Sequence, residues 1–279
     1  MTGWEYEDRE YWEKVYALPE NYMVEAAVTE GNDGEDEFDA KMLNTCVGKV
    51  VLDVGCGDGL FTIKMAERAI EVVGVDFSRV AISEARKNLS KSGQKNLRFE
   101  LANAESLHFP NETFDLVTCR RGPITDRKSS LREARRVLKR HGILMGITIG
   151  ERDKENLARI FGRGQMLASE RVIALKERLL REAGFENLQI TEYIATEIFP
   201  TIKDLTIRLK DSPIIPEFDP EKDKRYLEEI EKTCKSSKGI ETPTHRVTIL
   251  AQTYVRSLHQ EPFLKKLIPP LAPCSIRKA

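Results

Sequence analysis

The sequence predicts an α/β domain built on a mostly parallel sheet with helices on both faces. From residue 49 onward, short continuous apolar runs alternate with segments of helical period. This alternation is typical of strand–helix–strand units whose strands are buried on both sides. A glycine-rich stretch, residues 55–59, lies between the first apolar run and the first helical segment, where doubly wound proteins place ligand-binding turns.

Seven apolar runs are predicted to be strands, because they are short, apolar and bounded by polar or glycine-containing segments. They cover residues 50–54, 72–75, 97–101, 114–118, 143–149, 188–194 and 247–251.

The segments between these runs carry apolar residues at the three- and four-residue spacing of one helix face. The sets are Ala81, Ala85 and Leu89; Leu131, Ala134 and Leu138; and Val172, Leu175 and Leu179. The long connection before the last strand contains an apolar stripe at Ile202, Leu205 and Leu209, and Asp219-Pro220 predicts a second helix start. Residues 198–243 are therefore predicted to be a helical insertion between the sixth and seventh strands.

The composition indicates a globular protein without a strong overall charge. The 279 residues are 41% apolar and 32% charged, with a formal net charge of −1, so no overall field favours nucleic acid or a membrane surface. The uncharged runs are too short to span a membrane, and the acidic, aromatic start is unlike a signal peptide. The five scattered cysteines contain no C-x-x-C pair, so we expect a cytoplasmic protein with no metal site.

The two ends of the chain are expected to lie outside the central domain. Residues 1–44 hold 13 acidic and 3 basic residues, and we expect an N-terminal helical cap followed by an acidic linker over Glu30–Asp39. Residues 45–197 are predicted to form the core, 244–254 its last strand, and the proline-containing residues 255–279 a tail.

Three motifs with binding chemistry follow the first three predicted strands. Gly55, Gly57 and Gly59 have the spacing G-x-G-x-G, which differs from the G-x-G-x-x-G turn of dinucleotide-binding proteins. Asp76 ends the second strand, where a carboxylate can accept hydrogen bonds from ribose hydroxyls. Asn103-Ala104 follows the third strand, where an amide oxygen and a backbone N–H can contact an adenine edge.

Four stretches in this order resemble the successive motifs of class I S-adenosylmethionine-dependent methyltransferases of the type-11-like group. They are Leu52–Gly59, Gly74–Asp76, Asn103–Glu105 and Phe114–Val117. The resemblance covers residues 45–150 by motif and extends to about residue 195 by the order of elements. It implies a Rossmann-like sheet of seven strands with the seventh antiparallel, S-adenosylmethionine as cofactor, and methyl transfer as the reaction.

The resemblance also implies a cofactor site made of Asp53, Gly55, Cys56, Gly57, Asp76, Phe77, Asn103 and Ala104. The glycines would contact the methionine portion, with Asp53 near its amino group. Asp76 would bind both ribose hydroxyls, and Phe77 would lie along the adenine. Asn103 would contact the adenine amino group and Ala104 a ring nitrogen. Many family members have aspartate at position 103, so we expect weaker adenine binding by the uncharged amide.

The methyl acceptor is expected beyond the fourth strand, where the sequence reads Cys119-Arg120-Arg121-Gly122-Pro123. Arg120 and Arg121 could bind a carboxylate or phosphate on the acceptor, or pair with nearby acids. His245 and Arg246 enter the seventh strand at the same edge, where His245 is either a third catalytic candidate or a strand cap. By the family's topology the insertion would roof this pocket and exclude water.

These features favour methyl transfer to a small, anionic acceptor, with no membrane partner. An RNA methyltransferase acting on tRNA or rRNA would need a contiguous basic surface, and the sequence offers only one basic helix for it. A non-catalytic partner subunit with this fold would not need Gly55, Gly57 and Asp76, which are all present. The catalytic residue, the acceptor's identity and the oligomeric state stay open.

Overall fold

A computed structural model describes residues 27–125, 127–164, 171–210, 212 and 214–253 of the chain. Its strands form one sheet of eight members. They are β1 (Val28–Glu30), β2 (Val50–Val54), β3 (Glu71–Asp76), β4 (Leu97–Leu101), β5 (Phe114–Arg120), β6 (Leu138–Ile149), β7 (Glu186–Phe199) and β8 (Ile240–Gln252).

The strand order is β1-β7-β8-β6-β5-β2-β3-β4. Strands β2 to β6 pair in parallel, and β8 lies antiparallel between β6 and β7. This confirms the predicted mostly parallel sheet with an antiparallel seventh strand. The eighth member is β1, which pairs antiparallel with β7 and was not predicted, because three exposed residues carry no hydrophobic pattern.

Helices cover both faces of the sheet. They are α1 (Glu35–Thr45), α2 (Leu60–Ala66), α3 (Arg79–Ser92), α4 (Lys128–Val137), α5 (Glu155–Phe161), α6 (Val172–Glu182), α7 (Ile202–Lys210) and α8 (Lys224–Thr233). Within the described residues, none of these helices has the length and apolar character needed to cross a membrane.

The core consists of two layers separated by the sheet. On one face, α1, α2 and α3 bury residues such as Met42 and Met65 against the strands. On the other face, α4 and α6 contribute residues such as Leu131 and Leu180. Each such fully buried side chain contributes about 1.5–3 kcal/mol, so amphipathic helices are held on both sides of all-apolar strands.

The connection between β7 and β8 is helical as predicted, but it is shorter than the predicted residues 198–243, because β7 extends to Phe199 and β8 begins at Ile240. Helices α7 and α8 pack with α5 around a small apolar cluster of their own, which includes Phe161, Leu205 and Ile230. Ile149 at the end of β6 pairs with Arg246 near the start of β8. The insertion therefore lies at the edge where the parallel strands end, which is the ligand-binding edge of such sheets.

The predicted acidic linker is wrong. Glu30 ends β1, and α1 begins at Glu35 with three acids in its first turn. Composition alone favoured a solvated connection, but acidic side chains are stabilised by the positive end of a helix dipole. Glu35 also pairs with Arg120 and Arg246, which lie far away in the sequence.

Two helix boundaries also differ from the prediction. Leu138 is the first residue of β6 and not part of α4. Helix α8 begins at Lys224, whereas Asp219 accepts hydrogen bonds from the backbone N–H groups of Glu221 and Lys222 and caps the turn before it. The predicted N-terminal cap, residues 1–26, and the tail beyond residue 253 lie outside the described residues.

Candidate active site

The glycine turn, residues 55–59, joins the end of β2 to α2. The backbone N–H groups of Gly55 and Cys56 both donate to the Val75 carbonyl oxygen, at 2.8 and 3.0 Å, which fixes the turn against β3. Gly57 has a φ of 56°, a left-handed conformation that favours glycine. A Cβ atom on Gly59 would lie 2.3 Å from the Phe99 ring, so this position serves helix–strand packing.

Asp53 lies under this turn and is 4% exposed. Its carboxylate accepts a hydrogen bond of 2.6 Å from the Thr62 hydroxyl. Burial raises the pKa of Asp53 to about 6; the Thr62 hydrogen bond opposes this shift and the charge of Asp76 adds to it. No Lys or Arg of the described segments lies within ion-pair distance of Asp53, so a cation placed here would stabilise its charged form.

Asp76 connects the glycine turn to α3. One carboxylate oxygen accepts from the Gly57 N–H at 3.1 Å, and the other accepts from the Ser78 N–H at 2.9 Å. The side chain is 6% exposed. A carboxylate offers about four lone-pair sites, and this is the acceptor chemistry that a ligand diol requires.

The adenine-contacting candidates follow β3 and β4. Phe77 is half-buried directly after Asp76, and Ala104 is buried. Asn103 is exposed, and its amide oxygen accepts a hydrogen bond of 2.9 Å from the Glu105 N–H. This local turn orients the Asn103 side chain and uses one of the two lone pairs that were expected to face adenine.

Residues 120–123, which we call the arginine loop, begin at the last residue of β5 and touch the glycine turn. A Cβ atom on Gly55 would lie 3.4 Å from the Gly122 Cα atom, so the two backbones are in van der Waals contact. The Arg120 guanidinium donates to Asp39 at 3.0 Å and to Glu35 at 2.9 Å, both on α1. Arg120 is thus bound to acids of this chain, which was the alternative to binding the acceptor.

Comparison with known proteins identifies the family. The methyltransferase-domain family matches residues 47–170. A ubiquinone biosynthesis O-methyltransferase from Thiobacillus denitrificans is 34% identical over 158 residues, which cover 52% of this chain and 67% of that protein. The chain belongs to the class I S-adenosylmethionine-dependent methyltransferases.

Other relatives of this methyltransferase match over less of their length. The uncharacterized methyltransferase YcgJ of Bacillus subtilis is 36% identical over 94 residues, which cover 33% of this chain and 37% of YcgJ. The chain spans about a third to two thirds of the length of the curated relatives it matches. The crystal structure of YcgJ superposes with a TM-score of 0.60 at 20% identity and covers 80% of this chain and 100% of YcgJ, which is a likeness of fold.

The residues of this methyltransferase fit its family's cofactor. S-Adenosylmethionine carries an ammonium group, which complements the buried carboxylate of Asp53. It also carries a ribose diol, which complements the carboxylate of Asp76 at the end of β3. The glycine turn leaves bare backbone between these two acids.

On the other side of the arginine loop, the methyltransferase contains a cavity of about 430 Å³. It lies between the segment that joins β1 to α1, the ends of β5 and β7, the start of β8, and α7. Its lining residues are Thr29, Gly31, Asn32, Asp33, Glu35, Asp36, Arg120, Arg121, Glu197, Arg208, Thr244 and Arg246. We call this space the arginine cavity.

Ion pairs form one wall of the arginine cavity. Arg246 donates to Glu35 at 3.0 Å and to Asp153 at 2.5 Å, and it is only 8% exposed. Burial alone would raise the pKa of Glu35, but the charges of Arg121, Arg246 and Arg120 hold it below its usual value. The opposite charges therefore compensate one another and hold this wall in place, and Glu35 stays ionised.

His245 does not line the arginine cavity. It is fully buried, and its side chain packs against Gly150 and near Glu192. Its neighbours on β8, Thr244 and Arg246, line the cavity, and successive strand residues point to opposite faces. The structure thus separates His245 from Arg121, with which the sequence analysis had grouped it.

His245 does form a cluster with Glu151 and Glu192, whose ligand-type atoms lie within 4.8 Å of one another. The Arg152 N–H donates to Nδ1 at 3.1 Å, so the neutral ring carries its proton on Nε2, 3.3 Å from a Glu192 oxygen. A protonated nitrogen is not a metal ligand. Burial lowers the pKa of His245, against the charges of the two glutamates, and we interpret the cluster as structural.

Sequence reasoning missed several residues of the arginine cavity. Glu35 was assigned to a linker, while Arg208 was assigned only to an insertion helix. Thr244 directly precedes His245, and only His245 was named as a candidate. None of these residues belongs to a motif, and only the pairing of β7 with β8 and the position of α7 bring them together.

Proposed function

We propose that the protein transfers a methyl group from S-adenosylmethionine to a small, anionic acceptor. One observation carries the proposal: the glycine turn, which lies between two buried aspartates, is in backbone contact with the loop that borders the arginine cavity. The cofactor would occupy the first region and the acceptor the second. Contact between the two regions is what a direct transfer between bound molecules requires.

Eight residues are assigned to the cofactor: Asp53, Gly55, Cys56, Gly57, Asp76, Phe77, Asn103 and Ala104. When bound, S-adenosylmethionine supplies a methyl group on a positively charged sulfur, which leaves as a neutral thioether. Asp53 compensates the ammonium group, and Asp76 accepts hydrogen bonds from the ribose while it holds Gly57 and Ser78. The assignment is supported by the family and by the fit of these charges.

The protein's main contribution to the reaction is positioning. Because the leaving group is neutral and good, alignment of the acceptor and exclusion of water provide most of the rate enhancement. A general base is needed only if the accepting atom arrives protonated. We assign no such base; His245 is buried outside the cavity, and Arg120 is engaged by Asp39 and Glu35.

Two further observations bear on the acceptor. A volume of about 430 Å³ lies within the range of about 300–1,000 Å³ usual for small-molecule sites. Several relatives are named O-methyltransferases, which makes an acceptor oxygen the first to test. An RNA acceptor is not supported, because the four arginines of the cavity are accompanied by four acids and do not form a basic surface.

Calorimetry on the full chain tests the cofactor assignment. We expect S-adenosylmethionine and S-adenosylhomocysteine to bind at a single site, and NAD to give no heat. Binding of NAD without binding of the other two would contradict the proposal, because it would assign the glycine turn to a dinucleotide.

A further inference from the structure

The arginine cavity contains an arginine and a threonine whose buried donors have no hydrogen-bond partner among the described residues. We propose that Arg121, Arg208 and Thr244 bind the acidic group of the methyl acceptor, a carboxylate or a phosphate monoester. The proposal rests on the proposed function, since it defines the acceptor of that reaction. It assigns binding roles to two residues, Arg208 and Thr244, that no motif indicates.

Arg208 provides the strongest evidence. It lies on α7, and its buried Nε atom has no hydrogen-bond partner in the part of the chain that the structure describes. Among the described residues, no carboxylate lies within ion-pair distance of its guanidinium. Leaving a buried donor of a charged group unsatisfied is destabilising, and an anion in the cavity would remove that cost.

Thr244 adds an uncharged donor on β8. It is 2% exposed, and its hydroxyl is buried at the cavity wall with no hydrogen-bond partner among the residues described. Buried hydroxyl groups are normally hydrogen-bonded. A hydroxyl beside guanidinium groups is a typical donor set for a carboxylate or phosphate oxygen.

Arg121 lies where the cavity meets the arginine loop. Its φ of 59° is left-handed, a conformation that is strained for a non-glycine residue and often occurs at functional sites. The nearest acid is Glu35, with the two charged groups 3.6 Å apart. Burial lowers the pKa of Arg121; Glu35 opposes the shift, while the charges of three neighbouring arginines, Arg208 among them, add to it. An anion would offset this repulsion.

The cavity's own acids do not fill this role. Glu35 already accepts from two other arginines, and Glu197 pairs with Lys154 at 2.5 Å. Asp33 accepts from the Glu35 N–H, and Asp36 is exposed on α1. Arg121 and Arg208 are therefore the cations of the cavity with the weakest compensation by acids.

The test uses the full chain saturated with S-adenosylhomocysteine, at constant ionic strength. Two probes are titrated separately by calorimetry: inorganic phosphate for the phosphate monoester and benzoate for the carboxylate. We expect at least one probe to bind. Arg208→Gln should weaken that binding at least tenfold, and Thr244→Val about threefold to tenfold, because each loses a donor to an anion.

Arg159→Gln is the matched control. Arg159 is an exposed arginine on α5 that pairs with Glu155 and does not line the cavity, so its replacement should leave probe binding unchanged. Thr244→Val nearly preserves shape and decides the question if Arg208→Gln does not fold. Melting temperature and S-adenosylhomocysteine affinity, measured in the same samples, establish that each variant is folded.

The outcomes are distinct. Binding of phosphate alone indicates a phosphate monoester, binding of benzoate alone indicates a carboxylate, and both support the shared site. If neither probe binds, or if Arg208→Gln and Thr244→Val bind as wild type does, the proposal is overturned. Equal weakening by Arg159→Gln also overturns it. If S-adenosylhomocysteine fails to bind, the proposed function fails, and probe binding to the chain alone still tests the anion site.

Discussion

The proposed cofactor side and the proposed acceptor side of the candidate site are built in different ways. The cofactor side consists of the glycine turn and the ends of β2, β3 and β4, and Asp76 reaches Gly57 only 19 positions away. The acceptor side joins α1, β5, α7 and β8, and its Glu35–Arg246 pair spans 211 positions. The first is a local turn between adjacent strands, whereas the second depends on the completed sheet.

Buried charge has a different role in each region: in one it is expected to bind a ligand, and in the other it contributes to folding stability. On the proposed cofactor side, Asp53 is buried and no Lys or Arg of the described residues lies within ion-pair distance, although the more distant charge of Arg120 lowers its pKa slightly against the effect of burial. Its charge is therefore compensated only weakly. On the acceptor side, Arg246 is held between Asp153 and Glu35. We therefore expect substitutions in the two regions to affect different measurements.

The largest expected effect is loss of cofactor binding in Asp76→Ala. The variant removes the acceptor of the Gly57 and Ser78 N–H groups and, by our assignment, of the ribose hydroxyls. We expect S-adenosylhomocysteine affinity to fall about a thousandfold, or ~4 kcal/mol, by calorimetry. Asp219→Ala is the control, since Asp219 also accepts from two backbone N–H groups but lies in the insertion. Similar losses in both variants would contradict a specific role for Asp76.

The next largest effect is a loss of folding stability in Asp153→Asn. Asp153 is 4% exposed and faces Arg246 and Lys154, whose charges hold its pKa below the usual value although burial opposes this. Removing one charge of a buried pair typically costs about 3–5 kcal/mol, and we expect ~3 because Arg246 keeps Glu35.

Denaturant unfolding measures this change, with Glu155→Gln as the control. Glu155 lies two residues away and pairs with exposed arginines, so its replacement should cost less than about 1 kcal/mol. In Asp153→Asn we expect S-adenosylhomocysteine affinity to stay near the wild-type value. If Asp153→Asn keeps the wild-type stability but no longer binds S-adenosylhomocysteine, the assignment of stability to this region and of cofactor binding to the other would be contradicted.

A smaller effect is the pH dependence that Asp53 gives to stability. Its folded-state pKa of about 6 lies above the ordinary value of 3.8, so the folded protein binds a proton that the unfolded chain releases. The contribution of Asp53 to the free energy of unfolding therefore falls as pH rises, by about 1.4 kcal/mol between pH 5 and pH 7. Urea unfolding of wild type and Asp53→Asn should show this difference in slope. Equal slopes would mean that Asp53 is ionised throughout.

The smallest expected effect concerns Cys56. Burial and the charges of Asp53 and Asp76 raise the pKa of its thiol. The side chain therefore stays neutral and contributes packing, and the assignment of this position to the cofactor concerns its backbone in the glycine turn. Cys56→Ser should change S-adenosylhomocysteine affinity less than threefold by calorimetry. A larger loss would place the sulfur in direct contact with the ligand.

Much of the fold, and the positions of the glycine turn and Asp76 at strand ends, could be predicted from sequence because the physical signals are local. Strands such as Val50–Val54 are continuous apolar runs, which only a sheet covered on both faces can bury. Ser78 caps α3 by accepting from the Ala81 N–H, and Asp76 is placed by its position at a strand end. The detail that Asn103 turns its amide oxygen toward the Glu105 N–H was not predicted, since such a local hydrogen bond competes with any ligand.

The acceptor side could not be predicted, because its signals are contacts between distant residues. The acids of residues 30–39 have the composition of a linker, and only the contacts with Arg120, Arg121 and Arg246 reveal that Glu35 is an ion-pair partner. Arg208 belongs to an ordinary amphipathic helix, and its missing partner is visible only in three dimensions. His245 is the opposite case. Its imidazole made it a catalytic candidate, but its side chain is buried on the face of β8 that does not line the arginine cavity.

The span between Glu35 and Arg246 also bears on how the protein is made. Synthesis proceeds from the N-terminus, and the glycine turn and Asp76 leave the ribosome well before β8 does. Glu35 is synthesised early, and its partner Arg246 is translated 211 codons later. The segments assigned to the cofactor are thus synthesised first, and the segments assigned to the acceptor come together only after the last strand of the sheet has been translated.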